Sequence, residues 1–241
     1  LVSVAEPPDY DDLWTRVYGD IQKLGPVHRH MRRRVSAWLA DLAYASVLDV
    51  GCGPAENYAL LASGRRLDHF GGIDISQVAL DEARRRVPSG EFWNLDIQRE
   101  GVAGQWDLVH CSLVLEHLPD DVAALRHLRS MTGRFLLLTT IGGDFERYRR
   151  YEETQGHVRN YAGGELEAKV SATGFRILKR SAWGFPLYSP LARRVLAAKP
   201  LGVEASFGRP TRILAELAYA LYFLNSGRRG DLLFLLAEPA G

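Results

Sequence analysis

The chain has 241 residues, 46% of them hydrophobic and 24% charged, enough to fill the core of one large domain but too few for two independent ones. Thirty lysines and arginines face 29 aspartates and glutamates, a balance that excludes a general attraction to phosphate backbones or anionic membranes. Cys52 and Cys111 are the only two cysteines, which excludes a disulfide framework or a zinc–thiolate cluster and suggests reduced thiols.

The first 45 residues read as helical. Leu13, Trp14, Val17 and Tyr18 recur at one-turn spacing. A second helix is expected over 28–42, with Met31, Val35, Trp38, Leu39 and Leu42 on one face and Arg29, Arg32, Arg33 and Arg34 on the other. Gly25 and Pro26 separate the two. Pro7, Pro8, Asp9, Asp11 and Asp12 break up any early apolar run of the secretory kind. From Ser46 onward, short apolar runs alternate with helical ones. Strands are expected at 46–50, 70–74, 91–95, 106–111 and 134–140, and helices at 55–63, 76–87 and 119–131. Such alternation predicts an α/β fold, a mostly parallel sheet covered by helices on both faces.

After the fifth strand, 142–161 is a long polar and aromatic connection, a kind of segment that often carries function. A helix over 164–172, a strand over 175–180 and a last strand over 231–237 complete the pattern. Between them, 181–230 contains Pro186, Pro190, Pro200 and Pro210 and room for helices near 191–198 and 211–224. The organisation is one domain: a helical segment (1–45), a core (46–180), a helical cap insertion (181–230) and the last strand (231–241). The longest apolar stretch, 213–224, holds Glu216 and is too short to span a bilayer. A cytoplasmic protein without membrane association, a monomer or homodimer, is expected.

Three local patterns stand at the carboxyl ends of consecutive strands. Val47-Leu48-Asp49-Val50-Gly51-Cys52-Gly53-Pro54-Ala55 runs a strand into a glycine-bearing turn and then a helix. Asp49 is an odd choice for cradling phosphate and suits a cationic ligand with an amino group. In Gly72-Ile73-Asp74-Ile75-Ser76, Asp74 stands where a carboxylate can accept from both hydroxyls of a ribose. In Asn94-Leu95-Asp96-Ile97, Asp96 can accept from an adenine amino group while Leu95 and Ile97 sandwich the ring.

Together with WDLVHCSLVLEHLPDD, these motifs resemble the set of the class I S-adenosylmethionine-dependent methyltransferases, with the family's spacing from Ser46 to Thr140. The resemblance implies a doubly wound, Rossmann-like sheet of seven strands, the last antiparallel, and S-adenosylmethionine as cofactor. Asp49, Gly51, Cys52 and Gly53 would line its methionine part, Asp74 and Ile75 the ribose side, and Asp96 and Ile97 the adenine. His110, Cys111 and Ser112 would pass beneath the methionine and the sulfonium. Ala55 replaces a third glycine. The family further implies that the amino-terminal helices form a lid, with Tyr18, His30 or Arg33 reaching the cofactor's carboxylate.

Methyl transfer from a sulfonium needs alignment and exclusion of water more than it needs a catalytic group. A base is required only for a protonated, weakly acidic acceptor. Two histidines are the candidates. His157 lies in Gly156-His157-Val158-Arg159-Asn160-Tyr161, similar to a GHxRxY segment found in a subgroup of the family, and His117 follows Glu116 after the fourth strand. His28 and His30 read as surface residues. Glu116, Arg159, Tyr161, Trp183, Tyr188 and Tyr18 are expected on the acceptor side, with the aromatic cap as a roof. No metal ligand is expected, so chelators should leave activity intact. The expected acceptor is an oxygen or nitrogen atom of a small-molecule metabolite, such as a natural-product intermediate. The alternatives are carbon methylation, an RNA or protein acceptor, a nicotinamide-dependent oxidoreductase and a non-catalytic cofactor-binding relative. Nucleic acid is disfavoured, because Glu146, Glu152 and Glu153 dilute the basic cluster around Arg147, Arg149 and Arg150.

Overall fold

Strands that read as unbroken apolar runs must be covered on both faces, and they form the centre of the sheet. The computed structural model describes residues 19–62, 64–194 and 207–241. Its strands are β1 (Ser46–Val50), β2 (His69–Asp74), β3 (Glu91–Asn94), β4 (Trp106–Ser112), β5 (Thr132–Ile141), β6 (Phe175–Trp183) and β7 (Leu232–Pro239). They form one sheet in the order β3-β2-β1-β4-β5-β7-β6. β7 runs antiparallel to both neighbours, β5 and β6, and the other pairings are parallel. The chain reverses its winding between β1 and β4, which opens a crevice at their carboxyl ends.

The helices are α1 (Gly19–Leu24), α2 (Pro26–Leu39), α3 (Tyr58–Ala62), α4 (Gln77–Arg86), α5 (Asp121–Met131), α6 (Arg149–Thr154), α7 (Glu165–Ala172) and α8 (Arg209–Leu221). Strand alternation divides the core. Leu137 of β5 joins Met31, Val35, Trp38 and Leu39 of α2 on one face. Its neighbours Leu136 and Leu138 join Leu125 and Leu128 of α5 and Leu166 and Val170 of α7 on the other. Two aspartate-or-serine caps set helix starts beside the crevice: the Ser76 side chain accepts from Ala79 N, and that of Asp120 from Ala123 N.

Several boundaries differ from expectation. The helix expected from residue 55 starts only at Tyr58, because Ala55 takes φ +55° and delays the first helical turn, and residue 63 lies outside the described residues. β6 continues to Trp183, three residues into the stretch read as an insertion. The helix expected near 191–198 begins as a π-helical turn, Tyr188–Ala192, and its later part lies outside the described residues. So do Leu13 to Tyr18 of the first expected helix. α8 does not stand alone as a cap. It packs along α2, where Arg29 pairs with Glu216 at 2.6 Å and His30 Nε2 lies 2.9 Å from the Tyr219 carbonyl oxygen. Among the described residues no helix is long and apolar enough to cross a membrane.

Candidate active site

The turn after β1 is built from backbone conformations that a side chain resists. Gly51 has φ +71°, and a Cβ there would lie 2.2 Å from Val114 Cγ2. Gly53 has φ +51° and Ala55 φ +55°. The alanine in the third glycine's place therefore still adopts the left-handed conformation that glycine favours. The turn is tied to β2 by Gly51 N and Cys52 N, which both donate to Ile73 O.

Asp49 is 1% exposed, and its Oδ1 accepts from His110 Nδ1 at 2.7 Å. Its Oδ2 is buried and has no hydrogen-bond partner. A buried carboxylate oxygen left unpaired is costly, and a ligand ammonium would relieve that cost. This orphan atom makes the turn fit the amino group of a methionine moiety. Asp74 sits across the turn, with Oδ2 accepting from Gly53 N at 2.7 Å and Oδ1 from Ser76 N at 2.9 Å. Burial pushes its carboxyl above the usual range, partly offset by these two bonds. Each oxygen keeps a second lone pair for a ribose hydroxyl. Asp96 Oδ1 accepts from Gln98 N at 2.9 Å and closes the turn after β3. Ile75 is half exposed and presents an apolar surface beside Asp74, whereas Ile97 is 5% exposed and packs inward with Trp106 and Leu125. The adenine-sandwiching role expected of Ile97 thus meets a side chain already consumed by the core. Cys52 and Cys111 are buried free thiols, both raised by burial first and then by neighbouring carboxylates.

At the carboxyl ends of β4 and β5 a second cluster forms. Glu116 is completely buried. Thr140 Oγ1 donates to its Oε2 at 2.7 Å, and its Oε1 has no hydrogen-bond partner. The His117 and His157 rings meet edge to face at 4.7 Å. Each Nδ1 is engaged, that of His117 with Gly156 O at 3.1 Å and that of His157 with Glu152 Oε2 at 2.6 Å. These bonds place the proton on Nδ1 and leave Nε2 as the basic nitrogen. Burial, then the neighbouring His157, lowers His117 to about 4. Burial also lowers His157, and the charge of Glu116 partly restores it. Burial raises Glu116, opposed by His157 and Thr140. The two clusters stand on neighbouring strands, with Asp49 opposite His110 where β1 pairs with β4 and Glu116 just beyond the end of β4.

Sequence reading missed the residues that hold this cluster. Glu152 is fully buried and its Oε1 is paired with Arg193, whose other arm reaches Asp231 Oδ2 at 2.6 Å. Arg193 is itself 1% exposed and stacks over Tyr148 at 4.5 Å. Glu152 stands in a charge-rich stretch and Arg193 in a largely apolar one, and neither carries a local mark of burial in the sequence.

Other candidates point elsewhere. The Arg159 guanidinium donates through one terminal nitrogen to the Leu118 and Pro119 carbonyls, both at 2.7 Å, and through the other pairs with Asp121 Oδ1 at 2.9 Å, while its buried Nε has no hydrogen-bond partner. The Tyr161 hydroxyl donates to Asp121 Oδ2 at 2.8 Å. Both brace the start of α5 instead of facing an acceptor. Trp183 is 2% exposed and stacks between His30 at 5.0 Å and Tyr188 at 5.8 Å. With Tyr188 it belongs to the core on the α2 face, so the aromatic roof is core packing. His30, expected at the surface or over the cofactor, is buried in that aromatic group, with Tyr219 and Phe223 around it. Arg33 lies over Phe223 at 4.5 Å. Both side chains are thus engaged by α8 and the turn that follows it. Tyr18 lies outside the described residues.

Residues 27–180 match the model of a methyltransferase domain family. A trans-aconitate 2-methyltransferase of Azoarcus sp. is 30% identical over 156 residues, covering 63% of this chain and 58% of that protein. A ubiquinone biosynthesis O-methyltransferase of Aromatoleum aromaticum is 31% identical over 159 residues, covering 60% of this chain and 65% of that protein. The chain thus spans about three fifths of the length of these curated relatives. Among solved structures, a magnesium protoporphyrin IX methyltransferase from Synechocystis with bound S-adenosylhomocysteine superposes with a TM-score of 0.62 at 20% identity, covering 95% of this chain and 93% of that one.

Proposed function

From the premise that the chain belongs to the class I S-adenosylmethionine-dependent methyltransferase family, we propose that it methylates an oxygen atom of a small, acidic metabolite. The observation that carries this reading is the pairing of two buried, incompletely satisfied groups at adjoining strand ends. Asp49 Oδ2 awaits a cation, and Glu116 Oε1 with two imidazoles awaits a proton or an electrophile. Bound at the first, S-adenosylmethionine would supply a methyl group on a positively charged sulfur.

The work left to the protein is alignment and proton handling. Asp49, held by His110, receives the amino group, and Asp74 keeps the turn closed against β2 while offering its remaining lone pairs to the ribose. A carboxylate acceptor arrives ionised and needs no base. For a hydroxyl acceptor, His157 is the better base of the pair. The charge it gains faces Glu116 and Glu152. Names of similar proteins, trans-aconitate 2-methyltransferase and ubiquinone biosynthesis O-methyltransferase, support oxygen over nitrogen and a small molecule over RNA or protein.

The test is transfer of labelled methyl from S-adenosylmethionine to panels of polycarboxylic acids, phenols, amines, RNA and protein. Label in a base-labile ester or an aryl ether is the expected product. Label confined to amine, RNA or protein, or no transfer by protein that binds S-adenosylhomocysteine, contradicts the reading.

A further inference from the structure

We propose that Glu116, His117 and His157 form a binding site for one divalent first-row transition-metal cation, of the zinc, cobalt, manganese or iron(II) class. Each residue offers one ligand atom, and these atoms all lie within 4.8 Å of one another. A cation drawing each ligand to about 2.1 Å would bring them within roughly 3.5 Å of one another, a contraction of little more than about 1 Å. Two imidazoles with one carboxylate suit these metals and not magnesium or calcium, which take oxygen ligands.

Three observations go beyond the cluster itself. Glu116 Oε1 is completely buried and no described protein group donates to it, so an atom with full ligating capacity is left in the cluster. Both imidazoles are braced through Nδ1, one by a carboxylate (Glu152) and one by a backbone carbonyl (Gly156). That is how metal-ligating histidines are generally oriented, with the outer partner fixing the tautomer and the ring. Thr140 fixes the remaining Glu116 oxygen in the same manner. The bracing reaches further out, since Arg193 pins Glu152 and is itself pinned by Asp231. Counted as ionised, the carboxylates of Glu116, Glu152 and Asp231 carry three negative charges against the single positive charge of Arg193, and a divalent cation cancels the remaining two.

Three ligands from one side leave coordination positions open to small-molecule oxygens. The cation would therefore anchor an acceptor carrying two adjacent oxygens, as in a hydroxy acid, a dicarboxylate or a catechol. This role rests on the methyltransferase reading, whereas the binding of the cation does not.

The experiment uses tag-free protein, stripped with chelator and then loaded separately with zinc, manganese and cobalt(II). Metal is counted after gel filtration, and the cobalt spectrum is recorded. About one cation per chain is expected for one of these metals, with cobalt absorption in the visible range typical of nitrogen–oxygen ligation. The His117→Ala, His157→Ala double variant and Glu116→Gln should each lose metal at least tenfold while keeping S-adenosylhomocysteine affinity. If a variant fails to fold, anomalous scattering from zinc-soaked wild-type crystals must show a peak between the three side chains. Metal bound by wild type at no more than the level of a folded variant, or crystals without that peak, overturns the proposal. A loaded cation in a protein that methylates no acceptor leaves the site standing and removes the proposed activity instead.

Discussion

The two ends of the crevice are built by opposite means. At the cofactor end, a single run from Asp49 to Ala55 supplies the carboxylate, both glycines and the left-handed alanine, and the next strand adds Asp74. At the acceptor end, Glu116, Thr140, Glu152, His157, Arg193 and Asp231 come from five separate parts of the chain and meet only in the folded molecule. The first end is specified by local backbone geometry and the second by tertiary closure. The cofactor turn should therefore be sensitive to single backbone-level changes, and the acceptor cluster to loss of side-chain partners.

The largest effect is expected at the turn. In Gly51→Ala the new methyl runs into Val114 Cγ2, in a left-handed backbone conformation that alanine adopts only with strain. Stability should fall by about 2–4 kcal/mol in urea unfolding, with loss of S-adenosylhomocysteine binding by calorimetry. Unchanged affinity would remove the basis for separating the two ends. The second effect is His157→Ala, which should lower turnover on a hydroxyl acceptor at least tenfold with cofactor affinity held. Equal losses in both would mean that the two ends act as one unit.

A smaller effect tests a reassignment. Arg159→Met removes the ion pair to Asp121 and two carbonyl contacts at a partly exposed site. About 1–2 kcal/mol of stability should go, with the acceptor's KM unchanged. A raised KM at constant stability would return Arg159 to the substrate side. The smallest effect concerns acid. Burial raises the Asp121 carboxyl, but Lys169, Tyr161 and Arg159 outweigh it and hold it below its ordinary value. A depressed folded-state value stabilises above the unfolded value and is lost as pH falls through the folded one. Wild type should therefore lose stability below about pH 4 more steeply than Asp121→Asn. Parallel pH profiles would contradict this.

Legibility in the sequence followed the same division. The strands of the core, the glycine turn and the place of Asp74 at the end of β2 were readable because strand, turn and helix encode them within a few residues. Ala55 shows that the conformation persisted where the residue type had changed. His117 and His157 were identifiable by chemistry and position, yet Glu152 and Arg193 were not, because nothing local says that either charged residue will be buried. Arg159, Tyr161, Trp183 and Tyr188 lay in segments that reach the functional edge. Their direction was set by partners such as Asp121 and His30, which a sequence does not align with them. His30 was misplaced for the same reason: α8, nearly two hundred residues later, covers it.

The role proposed for Asp49 Oδ2 is to receive the cofactor's ammonium group. It is tested most directly by calorimetry of wild type and Asp49→Asn with S-adenosylhomocysteine and with 5′-methylthioadenosine, which lacks the amino-acid part. The account predicts that S-adenosylhomocysteine affinity falls about 10–100-fold while methylthioadenosine affinity stays the same. Equal changes for both ligands, or none for either, would contradict it.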